Sequence, residues 1–103
     1  MRIQRIEYDE ALRAYMAQKG MTTIAVEVVS SQSSDFDFSE LYVRLVSDKR
    51  AAFLKEDKKF RAIRGELGEV LLPPYTLEYD ETISFGLKKT WIFHSIRYSG
   101  IRL

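Results

Sequence analysis

Cysteine is absent from this sequence of 103 residues. Its absence excludes disulfides, thiolate zinc sites, cysteine-ligated iron–sulfur clusters and cysteine nucleophiles, and it fits a reducing compartment such as the cytoplasm. Long apolar runs are also missing, because no stretch approaches the roughly 20 residues of a membrane span. The first residues lack the apolar stretch of a secretory signal. We therefore expect a soluble, cytoplasmic protein.

An excess of charge of one sign is the second thing the sequence lacks. Sixteen basic and fifteen acidic side chains leave a net charge of +1. A general polyanion binder needs a large positive field, so this balance predicts neither a nucleic-acid partner nor a membrane-surface protein. The five glycines are scattered and form no phosphate-binding loop.

What the sequence does contain is enough apolar material for one domain spanning residues 1–103. Hydrophobic residues make up 46% of the chain and aromatic residues 13%. A chain of this length can bury most of its apolar surface in a single core. The composition therefore predicts a folded domain with an aromatic-rich core and argues against disorder.

Periodicity and capping residues predict one N-terminal helix followed by strands. Asp9 suits a helix N-cap, residues 10–19 have apolar positions at helical spacing, and Gly20 suits the left-handed stop. Alternation predicts strands at 22–29, 41–47, 68–72, 82–87 and 91–98. Residues 88–89 read as a turn, and residues 91–98 read as a central strand because both of its faces are apolar. Residues 47–49 read as a turn, and residues 50–59 are open between helix and strand.

These elements predict the α+β class. The expected architecture is a mainly antiparallel β sandwich or partly open barrel of about six or seven strands, with one N-terminal helix.

Several segments also carry a resemblance to a known family. They are Met1-Arg2-Ile3, the helix 10–15, Lys19-Gly20, the strand 23–29, and the C-terminal pieces 83–89, 93–96 and Gly100-Ile101. In their order and apolar pattern they resemble the HesB-like family of A-type iron–sulfur carriers. The similarity is greatest to the short relatives that bear a Cys-Cys or Cys-selenocysteine pair. The resemblance implies a HesB-like fold.

The diagnostic cysteines of that family are replaced here. Where the short relatives place their cysteine pair, this chain has Ser30-Ser31-Gln32-Ser33-Ser34, and the C-terminal cysteines of the carriers are missing too. A serine hydroxyl is a far poorer soft-metal ligand than a thiolate. The resemblance therefore implies a member that kept the scaffold and lost cluster chemistry, so we expect no cofactor.

The serine-rich segment 30–40 is the candidate ligand loop predicted from the sequence. The candidate ligand residues are Ser30, Ser31, Ser33, Ser34, Asp35 and Asp37, and the candidate supporting residues are His94, Phe36 and Phe38. None of them is a strong nucleophile or soft ligand unaided, so we expect a non-catalytic binding or interaction module and not an enzyme. Phe36 and Phe38 are expected to tuck under the loop. His94 is expected to be packed beside Ile92 and Ile96.

Three other interpretations stay open at this stage. Ser33, Ser34, Asp35, Asp37 and His94 could form a weak hard-metal or small-ligand site related to iron–sulfur assembly, although calcium needs six or more oxygens. Segment 49–64 has seven basic against two acidic residues and two phenylalanines, a composition that can stack on nucleic-acid bases, but a solvated turn is favoured. The aromatics of 75–79 and 91–98 could serve a protein partner or self-association.

Overall fold

The computed structural model describes residues 3–32 and 37–103. This part of the chain forms seven strands and two helices. In chain order they are β1 (Arg5–Tyr8), α1 (Glu10–Lys19), β2 (Thr23–Gln32), β3 (Asp37–Val46), α2 (Asp48–Glu56), β4 (Arg61–Arg64), β5 (Glu69–Leu72), β6 (Glu78–Lys89) and β7 (His94–Arg102). The predicted α+β class is confirmed.

Helix α1 begins and ends where its capping residues predict. The carboxylate of Asp9 accepts a hydrogen bond from the Leu12 amide at 2.7 Å, as an N-cap side chain does. Gly20 adopts a φ of 66° and its amide donates to the Ala17 carbonyl, which is the left-handed stop that glycine makes without steric cost. Leu12 and Met16 are buried.

A mainly antiparallel sandwich or partly open barrel was expected, and the described strands form two open sheets, each of mixed direction. The smaller sheet has the order β1-β6-β7 and the larger has the order β3-β2-β5-β4. Strand β1 pairs with β6 in parallel, and β2 pairs with β5 in parallel. The other three pairings are antiparallel. The outer strands β3 and β7 lie beside each other, where an edge of one sheet meets an edge of the other.

The larger sheet is buried on both faces. Ile24, Val26 and Val70 belong to the main core with Ile83 and Phe85 of the smaller sheet. The alternate residues Ala25 and Leu71 form a second cluster with Ala51 and Leu54 of α2. Successive side chains along a strand point to opposite faces of the sheet, so β2 and β5 contribute side chains to both core clusters.

The second helix corrects the expectation of a single N-terminal helix and of a turn at 47–49. The hydroxyl of Ser47 accepts from the Arg50 amide at 3.1 Å and caps α2. Only two residues of α2 are fully buried, Ala51 and Leu54. With so few buried positions, the apolar pattern of α2 is too weak to predict a helix. Its stability comes mainly from packing on the sheet face that it covers.

Candidate functional site

The hairpin between β6 and β7 ends in a tight turn that contains no glycine or proline. The ladder runs to Lys89 opposite His94. Beyond it the Thr90 amide donates to the Phe93 carbonyl at 2.9 Å, and the Thr90 hydroxyl accepts from the Phe93 amide at 3.2 Å. These bonds hold residues 90–93 as a closed turn. The expected turn at 88–89 is wrong, since both residues belong to β6.

The turn presents three large apolar side chains to solvent. Trp91 is 93% exposed, Ile92 60% and Phe93 67%; we call these three residues the hairpin tip. The sequence predicted a central strand here, but β7 starts only at His94 and is an outer strand. Contiguous apolar groups on a soluble surface commonly mark a contact with a partner. The tip is therefore a candidate binding surface.

Positive charge lies beside the hairpin tip. Lys88 and Lys89 precede it and are exposed. From Thr82 to Leu103 the sequence has four basic residues and no acidic one, but Arg97 pairs with Asp9, and Arg102 pairs with Glu78 and Asp80. The hairpin tip thus combines apolar side chains with two lysines at the end of the adjoining strand.

A groove of about 350 Å³ lies next to the tip and is lined by residues of α1, β3 and β7. His94 stacks on Tyr15, with ring centroids 4.9 Å apart and planes inclined by 16°. The Lys19 ammonium lies 5.6 Å from the centroid of the same tyrosine ring. His94 is exposed, so the expectation of a packed histidine between Ile92 and Ile96 is wrong. The reason is that the edge position of β7 leaves this side chain with α1 as its neighbour.

The other wall of the groove is the free edge of β3. Tyr42 is half exposed, and the Arg44 guanidinium lies 5.3 Å from its ring centroid. Arg44 also donates to Glu27 at 2.8 Å, and Glu27 accepts a second bond from Arg50 at 3.1 Å. No carboxylate is among the described residues that line the groove, so the groove is basic and aromatic like the tip beside it.

A second, polar cleft of about 640 Å³ lies further along β6 and β7. Its floor is Gly86, where an added Cβ would lie 2.5 Å from Asp9 Oδ2 and 2.6 Å from Arg97 Nε. The missing side chain lets Arg97 donate to Asp9 at 2.7 Å. The sequence predicted a bulge or a close approach at Gly86, and the close approach is what the structure has.

The charge state of Asp9 follows from its hydrogen bonds. Partial burial raises the pKa of this carboxyl, but bonds from the Leu12 amide and from Arg97 outweigh that effect. The net result is a pKa below the ordinary value. Asp9 is therefore an anion whose oxygens are already hydrogen-bonded to the first turn of α1 and to Arg97.

The rest of the polar cleft is similarly self-paired. Arg13 makes a two-pronged contact with Glu66, at 2.8 and 2.7 Å, and the hydrogen bond from Arg13 lowers the pKa of Glu66. Burial raises the pKa of Tyr8, whose hydroxyl is enclosed without a hydrogen-bond partner of normal geometry. Most charged groups of this cleft pair with one another, so few of them are available to bind a ligand. The hairpin tip is therefore the stronger candidate site.

The structure describes only part of the group that the sequence predicted as a ligand site. Ser33, Ser34, Asp35 and Phe36 lie outside the described residues. Ser31, Asp37 and Phe38 belong to the β2–β3 ladder. Ser30 is exposed in β2, and its hydroxyl lies 2.9 Å from that of Ser39. Most of the expected loop 30–40 is therefore strand.

His94 does not join the serine segment. It lines the groove beside residues 42–45 of β3, whereas Ser30 pairs with Ser39, roughly 10 Å along the strand from Tyr42. Among the side chains that the structure describes, no group of three or more His, Asp or Glu residues is arranged to hold a metal ion.

The basic segment 49–64 divides between α2 and β4. Phe60 packs against the second core cluster, as expected for an anchoring residue. Phe53 is partly exposed, and its ring lies between Arg50 and Lys58, at 5.3 and 5.7 Å from its centroid. Lys55 pairs with Glu69 at 2.9 Å. Part of the positive charge of this segment is thus used within the fold.

The sequence analysis named the aromatics of 91–98 as a possible interface but placed Trp91, Ile92 and Phe93 in a strand, and it missed the groove residues Tyr15 and Tyr42. The available signal was the absence of acidic residues after Glu81. No helix in the described ranges has the length and apolar character needed to cross a bilayer. Comparison with family models, with curated proteins and with solved structures finds no match to this chain.

Proposed function

We propose that this protein is a non-catalytic docking module that engages its partner through the hairpin tip, Trp91–Phe93. The observation that carries the proposal is the 93% exposure of Trp91 next to two further exposed apolar residues, Ile92 and Phe93. Burying such side chains is favourable by about 1.5–3 kcal/mol each. A fold gains nothing by holding them in water, whereas an interface gains from all three.

The groove beside the tip supports the same function. Exposed aromatic rings are enriched in binding surfaces, and Tyr15, Tyr42 and His94 line the groove. No arrangement of nucleophile, base and oriented third group is found among the described side chains of the groove or of the polar cleft. Binding without catalysis is the chemistry that these residues support.

We further propose a HesB-like scaffold for the module. What supports this is the order and apolar pattern of segments such as 10–15, 23–29 and 83–89. With serines at the positions of the cysteine pair, the binding surface of this chain would lie at the hairpin tip instead of at the serine segment.

Site-directed cross-linking tests the proposal, and the cysteine-free chain makes it simple. Ser95→Cys places one thiol beside the tip, opposite Lys88. Ser99→Cys places one on the same strand, among the residues that line the polar cleft. Both serines are exposed. Each variant is labelled with a maleimide photocross-linker and irradiated in a whole-cell extract that retains its membranes, and adducts are identified by mass spectrometry.

We expect protein or lipid adducts at position 95 and few at position 99. The position-95 adducts should disappear when Trp91, Ile92 and Phe93 are all replaced by serine. Adducts that form mainly at position 99, that survive the triple replacement, or that fail to form at position 95 would contradict the proposal. The triple variant should unfold in urea at the wild-type midpoint, because exposed substitutions rarely change stability by more than about 0.5 kcal/mol.

A further inference from the structure

We propose that the partner of the hairpin tip is a lipid bilayer containing anionic lipids. This inference rests on the proposed function and names the surface that the tip binds. Trp91, Ile92 and Phe93 would enter the boundary between headgroups and acyl chains. Lys88 and Lys89 would lie at the level of the lipid phosphates.

The shape of the tip is the first reason. The three exposed side chains follow one another in a turn that projects beyond the last ladder pair, Lys89 with His94. A projecting apolar turn needs a partner that can admit it, and a bilayer admits it without a preformed pocket. Tryptophan in particular is favoured at the membrane–water interface. Peripheral proteins bind there by burying apolar side chains among the headgroups and the upper acyl chains.

The distribution of charge is the second reason. Two exposed lysines, Lys88 and Lys89, precede the tip, whereas Arg97 and Arg102 further along β7 pair with acidic residues of other segments. An anionic membrane surface attracts such a basic segment over about one Debye length, roughly 8 Å at physiological salt. The balanced net charge predicted no membrane partner. Only charges within about one Debye length of the bilayer contribute to this attraction, and Lys88 and Lys89, which adjoin the tip, are positive.

The same charges argue against a second copy of the chain as the occupant. The nearest apolar acceptor on another copy would be the groove between α1, β3 and β7. That groove carries Lys19 and Arg44 and no described carboxylate. A tip seated there would bring Lys88 and Lys89 towards further positive charge, which opposes association.

Trp91 provides the assay, because it is the only tryptophan in the chain. The protein is titrated with phosphatidylcholine vesicles and with vesicles that also contain phosphatidylserine, and tryptophan emission and co-sedimentation are recorded. On the anionic vesicles we expect a blue shift, quenching by brominated acyl chains, and binding that weakens as salt is added. On the neutral vesicles we expect much weaker binding.

Two variants and one matched control separate the contributions. Ile92→Ser with Phe93→Ser keeps the reporter and should weaken binding at least about tenfold, given the apolar burial that is lost. Lys88→Gln with Lys89→Gln should weaken it roughly fivefold per lysine at low salt. The control, Lys58→Gln with Lys59→Gln, removes the same charge from another exposed lysine pair and should bind like the wild type. Circular dichroism verifies that each variant is folded.

Several results would overturn the lipid proposal. They are an unchanged Trp91 emission on anionic vesicles, or binding to neutral vesicles as strong as binding to anionic ones. A loss of binding in the Lys58→Gln, Lys59→Gln control as large as in the Lys88→Gln, Lys89→Gln variant would also overturn it. If vesicles fail while position 95 cross-links to protein, the partner is a protein with an acidic apolar pocket, and the docking function stands without the lipid. If position 95 forms no adduct either, both proposals fall.

Discussion

Replacing Asp9 tests how this small domain joins its N-terminal helix to its smaller sheet. The carboxylate does three things: it caps α1 through the Leu12 amide at 2.7 Å, it accepts from Arg97 at 2.7 Å, and it lies 3.4 Å from the Leu87 amide. The first bond is an N-cap, whose loss to alanine costs about 1 kcal/mol. The second is a partly exposed ion pair, which contributes about 0.5–1 kcal/mol.

We therefore expect Asp9→Ala to lower the free energy of unfolding by about 2 kcal/mol. For a domain of this size that shift lowers Tm by on the order of 10 °C. Asp9→Asn keeps an acceptor for the Leu12 amide and should cost less than about 1 kcal/mol. Urea unfolding gives both values, and a double-mutant cycle with Arg97→Gln isolates the ion pair. Equal losses for Asp9→Ala and Asp9→Asn would refute the capping argument.

The same carboxylate gives a pH dependence with a definite sign. Its pKa in the folded protein lies below the ordinary value of 3.8, so the folded state favours the charged form. The stabilisation by that charge is complete above 3.8 and is lost as the pH falls through the lower folded pKa. The stability difference between wild type and Asp9→Asn should therefore shrink in acid. A difference that stays constant down to the folded pKa would show that the charge is not responsible.

Three further substitutions test the packing. Gly86→Ala should destabilise the protein by about 1–3 kcal/mol, since its Cβ would displace the Arg97 guanidinium; thermal unfolding measures this, and a neutral result would contradict it. Tyr8→Phe should be neutral or stabilising in urea, because the enclosed hydroxyl has no hydrogen-bond partner of normal geometry, and it should partly rescue Gly65→Ala, whose Cβ would overlap that hydroxyl. Leu71→Ala, fully buried beneath α2, should cost about 2–5 kcal/mol, and a smaller loss would mean that α2 adds little to the core.

The helix α1 could be predicted from the sequence because its signals are local. The Asp9 carboxylate reaches an amide three residues away, and the Gly20 amide returns to a carbonyl three residues back. Both contacts lie within reach of neighbouring residues in any tertiary context. Residues 23–29 of β2 and 41–46 of β3 were also predicted, because alternation persists there, whereas residues 30–32 and 37–40 were expected to be loop and are strand.

The hairpin tip was misread for an equally physical reason. Residues 91–98 carry apolar groups on both faces, and that pattern is typical of a central strand. The turn at 90–93 is closed by a threonine hydroxyl and has none of the usual turn residues. Strand β7 is also hydrogen-bonded to only one described strand, β6, a fact that depends on residues far away in the chain.

The candidate site shows the same division. From the sequence alone came the absence of thiol chemistry and the presence of a single histidine, His94. The partners of His94 could not be foreseen: Tyr15 is 79 positions away in the chain, and the two meet only because α1 lies against the end of β7.

By itself, then, the sequence determined the α+β class, the first helix with its two caps, most of the β2 and β3 strands and the lack of any thiolate ligand. All of these depend on residue type and on neighbours a few positions apart. The tertiary structure alone decided that Trp91, Ile92 and Phe93 project into solvent, that α2 covers the second face of the larger sheet, and that Asp9 meets Arg97 across Gly86. These outcomes depend on which distant strands pair, and pairing is a property of the whole folded chain.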